Sequence, residues 1–168
     1  MRTLIAIVLA VGVAITVGCK KASEELGEKM MEKALESQGG GKADVDVHEG
    51  KVTIKTKEGQ FEAVSGGGAR IPAGFPQDVY VLTDAKIIMA SKSPTGFHVM
   101  FETGDSQDKI VARYAEEMKA RDWSEESSVT MGDGVMANYK KENRGVMVMV
   151  AKDDSGTKVQ VITTHASE

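Results

Sequence analysis

Cysteine is nearly missing from this chain. Cys19 is the only one in 168 residues, so an intramolecular disulfide framework is excluded. Excess positive charge is missing too. Twenty-one Lys and Arg stand against 25 Asp and Glu, for a formal net charge of -4. No basic footprint exists with which to hold a nucleic acid. A long apolar run is also lacking. Residues 4–17 come nearest, but Gly12 and Thr16 interrupt them, and a membrane span needs about 20 apolar residues. Catalytic motifs are absent as well. No serine sits in a Gly-x-Ser-x-Gly elbow, and no Lys-Ser or Lys-Thr pair follows Gly66-Gly67-Gly68. His48, His98 and His165 fall in three different expected strands. None stands at ligand spacing from another His, a Cys or a carboxylate. No catalytic residue, metal site or cofactor is therefore assigned.

What the chain does have suits a globular protein: 41% hydrophobic and 27% charged residues. Its first nineteen residues stand apart from the rest. Arg2 is the one charged residue before the apolar run, and small Gly18 precedes Cys19. A positive start, a short apolar core and a small residue before the cut define an export signal. Removing residues 1–18 leaves 150 residues with net charge -5. In an exported protein an unpaired thiol is a redox liability, and acylation of Cys19 removes it. The alternative is an uncleaved single-pass anchor.

The Gly18-Cys19 junction resembles that of bacterial lipoproteins. Thr16 stands where most members carry Leu, Val or Ile. The resemblance implies cleavage between Gly18 and Cys19 and attachment of lipid, palmitate included, to Cys19. Two or more acyl chains anchor firmly, since each buried methylene contributes about 0.8 kcal/mol. Lys20, where an aspartate usually retains the protein at the inner membrane, implies outer-membrane sorting and a periplasmic face in a diderm cell. The resemblance covers only these nineteen residues.

Beyond them the pattern predicts an α+β protein. Residues 22–37 read as a helix capped by Ser23, with Leu26, Met30, Ala34 and Leu35 on one stripe. That stripe is expected to pack on protein, with a tether that holds the folded part off the bilayer as the second reading. Residues 44–64 alternate with period two around Glu49-Gly50 and Glu58-Gly59 turns and predict a three-strand meander. Residues 65–77 are a Gly/Pro linker, from which Ile71 and Phe75 are expected to dock on the next unit. Residues 78–168 predict an antiparallel sheet in the order ββαββββ, with one helix across a face. Its helix covers about 107–121, capped by Asp105 or Ser106, and Trp123 follows it. Ile87 and Met89 are expected to share a face. The domain plan is thus a signal at 1–18, a helix with meander at 19–64, a linker at 65–77 and a C-terminal domain at 78–168. This layout is similar to that of many uncharacterised secreted lipoproteins.

Two stretches suggest chemistry weakly. Asp153-Asp154-Ser155-Gly156 has the acidity of a calcium loop without its alternating ligands or closing Glu, so a hairpin turn is preferred. Met147 and Met149 share a strand face and could ligate copper, but core filling is preferred. The apolar run 146–151 predicts a strand buried on both faces. The functional expectation is a membrane-anchored envelope lipoprotein with a non-enzymatic structural or recognition role. Its partners are the membrane, through Cys19, and an envelope protein. Alternatives are a small-ligand or metal-binding lipoprotein, using the methionine face or His98, and an envelope enzyme.

Overall fold

The computed structural model describes residues 29–30, 32–33, 44–48, 50–57 and 59–165. Gly18, Cys19 and the rest of the signal stretch lie outside the described residues. The chain divides into two units, 1–62 and 63–168. Every strand pairing described in either unit is antiparallel, and the class is α+β.

In the first unit, Lys29, Met30, Glu32 and Lys33 are helical. Strand β1 (Asp44–His48) pairs with β2 (Lys51–Thr56), Val45 facing Ile54 and Val47 facing Val52. Val45 and Ile54 are buried, and Val47, Val52 and Phe61 pack on them. Phe61 belongs to β3 (Gly59–Ser65), which runs across the division between the units. The stripe expected to pack on protein does not do so at Met30, which is 67% exposed. Gly50 takes φ +82°, the left-handed turn conformation that glycine adopts without penalty.

The second unit holds the main core. Its strands are β4 (Lys86–Ser93), β5 (Gly96–Thr103), β6 (Ser124–Met131), β7 (Gly134–Lys141), β8 (Arg144–Asp153) and β9 (Gly156–His165). Helix α1 (Gln107–Ala120) lies between β5 and β6 in the chain. The sheet order is β4-β5-β9-β8-β7-β6. The last strand thus enters the middle, beside β5, and joins the first hairpin to the later meander. Outermost β6 is exposed along its whole length and carries Glu125, Glu126 and three serines. A polar edge of this kind resists pairing with other chains.

Period-two burial builds the core. Val99, Phe101, Val159, Val161, Val146, Val148, Val150, Ala137 and Tyr139 are buried on one side of the sheet. Ile110, Tyr114 and Met118 of α1 pack on the same cluster, at the helical spacing of four. Ser106 is the helix N-cap but makes no side-chain capping bond. Asp105, the other expected cap, is held instead by Lys109 at 2.6 Å and Arg113 at 3.1 Å. Gln107 donates to the carbonyls of Asp133 (2.8 Å) and Val150 (3.0 Å) and ties the first turn to the sheet.

The stretch 69–85 is fastened to this unit at several points. Phe75 packs edge-on against Phe97 at 5.6 Å, while Ile71 is exposed. Val79 and Leu82 are buried. Trp123 is buried too, and its Nε1–H donates to the Asp78 carbonyl at 2.8 Å. The Asp78 carboxylate takes a two-pronged bond from Arg144, at 2.9 and 2.6 Å, with Lys141 at 3.2 Å. Arg144 also lies over the Trp123 ring at 5.1 Å. Asp84 accepts both its bonds from Arg113 at 3.1 Å.

Two expectations about strand faces are corrected. Register shifts between Ile87 and Met89: Ile87 pairs with Phe101, while Met89 pairs with Met100. This bulge places an extra residue in β4 and sends Met89 to the face opposite Ile87. Strand β8 is buried on one face only. Val146, Val148 and Val150 are buried, and Met147 and Met149 between them are half-buried.

Candidate functional site

The two faces of the second unit's sheet offer different chemistry. On the helix side the interior is filled. Between α1 and the sheet, Val111, Tyr114, Val135, Ala137, Tyr139, Val148 and Val150 enclose a gap of about 10 Å³, scarcely one water. The Tyr114 hydroxyl is the one buried side-chain polar atom without a hydrogen-bond partner among the described residues. Tyr114 is 1% exposed and meets Tyr80 edge-on at 5.1 Å. Its burial pushes the phenol pKa far upward, and Tyr80 and Tyr139 add to the shift. Tyr139 is pushed up to about 12, first by burial and then by Glu125. Both phenols stay protonated, so this interior offers hydroxyl dipoles and no charge.

The opposite face contributes no described side chain to the buried core cluster. Cross-strand partners share a face, so the registers define its rows. One row runs Met89, Met100, Gln160, Met149, Met136 and Val129 across all six strands. The next runs Ser91, His98, Ile162, Met147, Asn138 and Ser127. Most of these side chains are half-buried, and Val129 and Met131 at the edge are 45% and 54% exposed. Six of the ten methionines in the chain lie on this face: Met89, Met100, Met131, Met136, Met147 and Met149.

His98 stands among them. Its Nε2 lies 3.1 Å from Gln160 Oε1. Burial lowers its pKa below the ordinary histidine value, and the Gln160 bond offsets this only in part. The ring is therefore neutral at neutral pH. His48 is exposed and pairs with Lys51 at the β1–β2 turn. His165 ends β9 opposite Arg144. The structure thus brings none of the three histidines together, but it sets His98 on one face with Met89, Met147 and Met149, to which sequence spacing alone does not join it.

Other suggestions resolve simply. Asp153 forms an ion pair with Lys158 across the β8–β9 turn, and this pair lowers the Asp153 pKa. No group of three or more His, Cys, Asp or Glu able to hold a metal occurs among the described residues. No helix among them is long and apolar enough to cross a membrane. An open, polar depression of about 420 Å³ lies near Glu126, Lys140, Glu142, Asn143, Arg144 and Gly145. Arg144 there is committed to Asp78.

A family model described as START domain-like matches residues 81–158, just under half of the chain. The match takes in β4 through β8, the helix and the start of β9. No curated protein and no solved structure matches the chain.

Proposed function

We propose that this protein is an envelope lipoprotein, anchored through lipid on Cys19, whose folded part binds and does not catalyse. The observation that carries the binding half is the asymmetry of the sheet. One face is closed by α1, and the other presents a wide row of half-buried methionines. A broad, open, adaptable apolar face suits recognition. The likeness to START domain-like proteins is compatible with a ligand-binding fold. The anchoring half rests on the lone cysteine directly after Gly18 and the short apolar run. Residues 22–37, read as a helix, then serve as a spacer before the meander, and the ββαββββ domain is the binding part. The outer membrane is the expected site in a diderm cell, with the domain facing the periplasm.

Chain length and uptake of labelled fatty acid test the anchor. Cys19→Ala should leave a full-length precursor that takes up no labelled fatty acid, whereas the parent is shortened by residues 1–18 and labelled. A Cys19→Ala protein that partitions like the parent, with no change in processed length, removes the lipid reading.

The Tyr114 hydroxyl favours a second reading, a ligand held between α1 and the sheet. An unpartnered buried donor beside a gap invites an acceptor. An apolar molecule with one carbonyl would fit that chemistry if α1 moved outward. Native mass spectrometry of protein extracted from membranes checks this. An apolar adduct present in the parent and lost in Tyr114→Phe supports it, and the same adduct in both excludes this site.

A further inference from the structure

Residues 63–168 hold seven methionines, and they are not spread evenly. Met89, Met100, Met131, Met136, Met147 and Met149 share the open face of the sheet, and none belongs to the buried core cluster. Met131, at the outer edge, is 54% exposed, and the other five are half-buried. The seventh, Met118, lies in the helix contact and is 0% exposed. We propose that the open face is a modification site, at which a peroxide oxidises the thioethers to sulfoxides and so turns an apolar recognition surface into a polar one while the fold stays intact.

The step needs only the sulfur and the oxidant. A sulfur lone pair attacks one oxygen of the peroxide. The S–O bond forms and the O–O bond breaks. The leaving hydroxide takes the proton from the attacked oxygen and departs as water. Sulfur gives up two electrons, and the peroxide is reduced by them. Each sulfur reacts alone, so no two of them need to meet. The change is reversible: two thiols, acting through a reductase specific for each sulfoxide epimer, become a disulfide and release the oxygen as water.

Position decides the consequence. A sulfoxide is polar and chiral where the thioether was flexible and apolar. Within a filled core the new oxygen lacks a partner, and burying it costs stability. On the open face water solvates it. The core cluster holds no sulfur apart from Met118, so the filled side is spared by its own composition. The registers gather the effect into one patch. Met136 is the direct partner of both Met149 and Val129, and Met147 shares the face of β8 with Met149. Direct partners stand about 4.5–5.5 Å apart at Cβ, so a few oxygens suffice to make this patch polar.

The idea rests on the folded part being a binder, but it does not depend on lipid at Cys19. The full chain in phosphatidylcholine vesicles is treated with hydrogen peroxide, and each methionine-bearing peptide is followed by mass for the gain of one oxygen. Met30, 67% exposed in the first unit, sets the upper rate, and Met118 sets the lower. Met131 should react at least about tenfold faster than Met118, which peroxide reaches only when the core opens. The five half-buried methionines should fall between. The urea midpoint read by Trp123 fluorescence should hold until Met118 reacts. Emission of 1-anilinonaphthalene-8-sulfonate, read against vesicles alone, should fall as the face takes up oxygen. It should return after treatment with both sulfoxide reductases and a dithiol. Met131→Leu/Met136→Leu/Met147→Leu/Met149→Leu keeps the patch apolar without sulfur, so its dye emission should survive peroxide. If that variant does not fold, Met131→Leu/Met136→Leu makes the same comparison, with part of the emission surviving. The proposal is overturned if the face methionines react no faster than Met118. It is equally overturned if the parent binds the dye and keeps it after they are oxidised, an outcome that leaves the recognition reading standing. A parent that binds no dye before treatment removes the recognition reading itself, and the proposal falls with it.

Discussion

Strand β8 carries both faces of the sheet in one short sequence. Val146, Val148 and Val150 point to the helix side and are buried, and Met147 and Met149 point the other way and are half-buried. Both sets are apolar, yet they differ in stiffness. Valine is branched at Cβ and holds one rotamer, while methionine is unbranched and has three rotatable bonds. β9 also keeps Val159 and Val161 on the filled side, while its open side carries Gln160 and Ile162. The closed face is made from residues that fix one packing. The open face is made from residues that can adjust to something else. Hydrophobicity alone would not separate them; shape does.

The largest way to break this comparison is to empty the closed face. Phe101 is fully buried, and its neighbour Met100 is half-buried on the open side. Phe101→Ala should cost about 3–5 kcal/mol, as large aromatic deletions in cores do. Met100→Ala should cost a small fraction of that. Urea unfolding followed by Trp123 fluorescence measures both. Equal losses would mean that the methionine face is a second core, already covered.

A smaller effect is expected where the closed side is fastened. Arg144, bonded to Asp78 through both its nitrogens, is the main cause that lowers the Asp78 pKa to about 2, with Lys141 adding and burial opposing. A depressed carboxylate contributes stability above its unfolded pKa, near 3.8, and that contribution is lost as pH falls toward about 2. Asp78→Asn should therefore destabilise at pH 7 by on the order of 1 kcal/mol, with solvent screening allowed for. The gap from the parent should close between those two pH values. Thermal unfolding from pH 7 to pH 2 checks it. A gap that stays constant with pH assigns the loss to packing and not to charge.

Tyr114 sharpens the comparison from the other direction, because it is the one flaw in the filled side. Its hydroxyl is buried and unpartnered. Tyr114→Phe keeps the ring and removes the orphaned group, so a gain of about 1 kcal/mol is expected. A loss of stability would show that the hydroxyl has a partner, a water or a ligand, in solution.

Much of the second unit is legible in the sequence, because strands buried on one side announce themselves with period two. Alternation alone assigns Phe97, Val99 and Phe101 to one face and His98 and Met100 to the other, as the β5 registers bear out. Trp123 after the helix points to its own burial. Register is not legible. The bulge that separates Ile87 from Met89 leaves no mark in composition. The row that joins Met100, Gln160 and Met149 depends on β9 pairing with β5, across some sixty residues of chain, as well as with its hairpin neighbour β8. Local pattern shows Met147 and Met149 on one face but cannot bring His98 to them. The helix start is legible, since Ser106 is its N-cap, but not how it is held: Ser106 makes no side-chain capping bond, and Asp105 answers to Arg113 and Lys109. The stripe on the first helix escapes it because a helical period does not say what will cover it, and Met30 is left exposed.

The smallest expected effect is also the most direct test of the two-faced strand. Met147 and Val148 are neighbours of similar hydrophobicity on opposite faces of β8. Met147→Val shortens a half-buried side chain on an open face and adds a residue well suited to strands. The two contributions nearly cancel, and the change in stability should stay within about 0.5 kcal/mol. Val148→Met makes the reverse exchange on the closed face. There the gap beside it holds only about 10 Å³, and overpacking should cost about 1–3 kcal/mol. Strand propensity favours valine at both positions and so adds to the difference, and only a difference above about 1 kcal/mol, the whole span of that scale, is assigned to packing. If both shift stability alike, the faces are equally packed and the methionines are core. If only Val148→Met is felt, the methionine side is held open by the fold, which is the condition any ligand, ion or partner on that face requires.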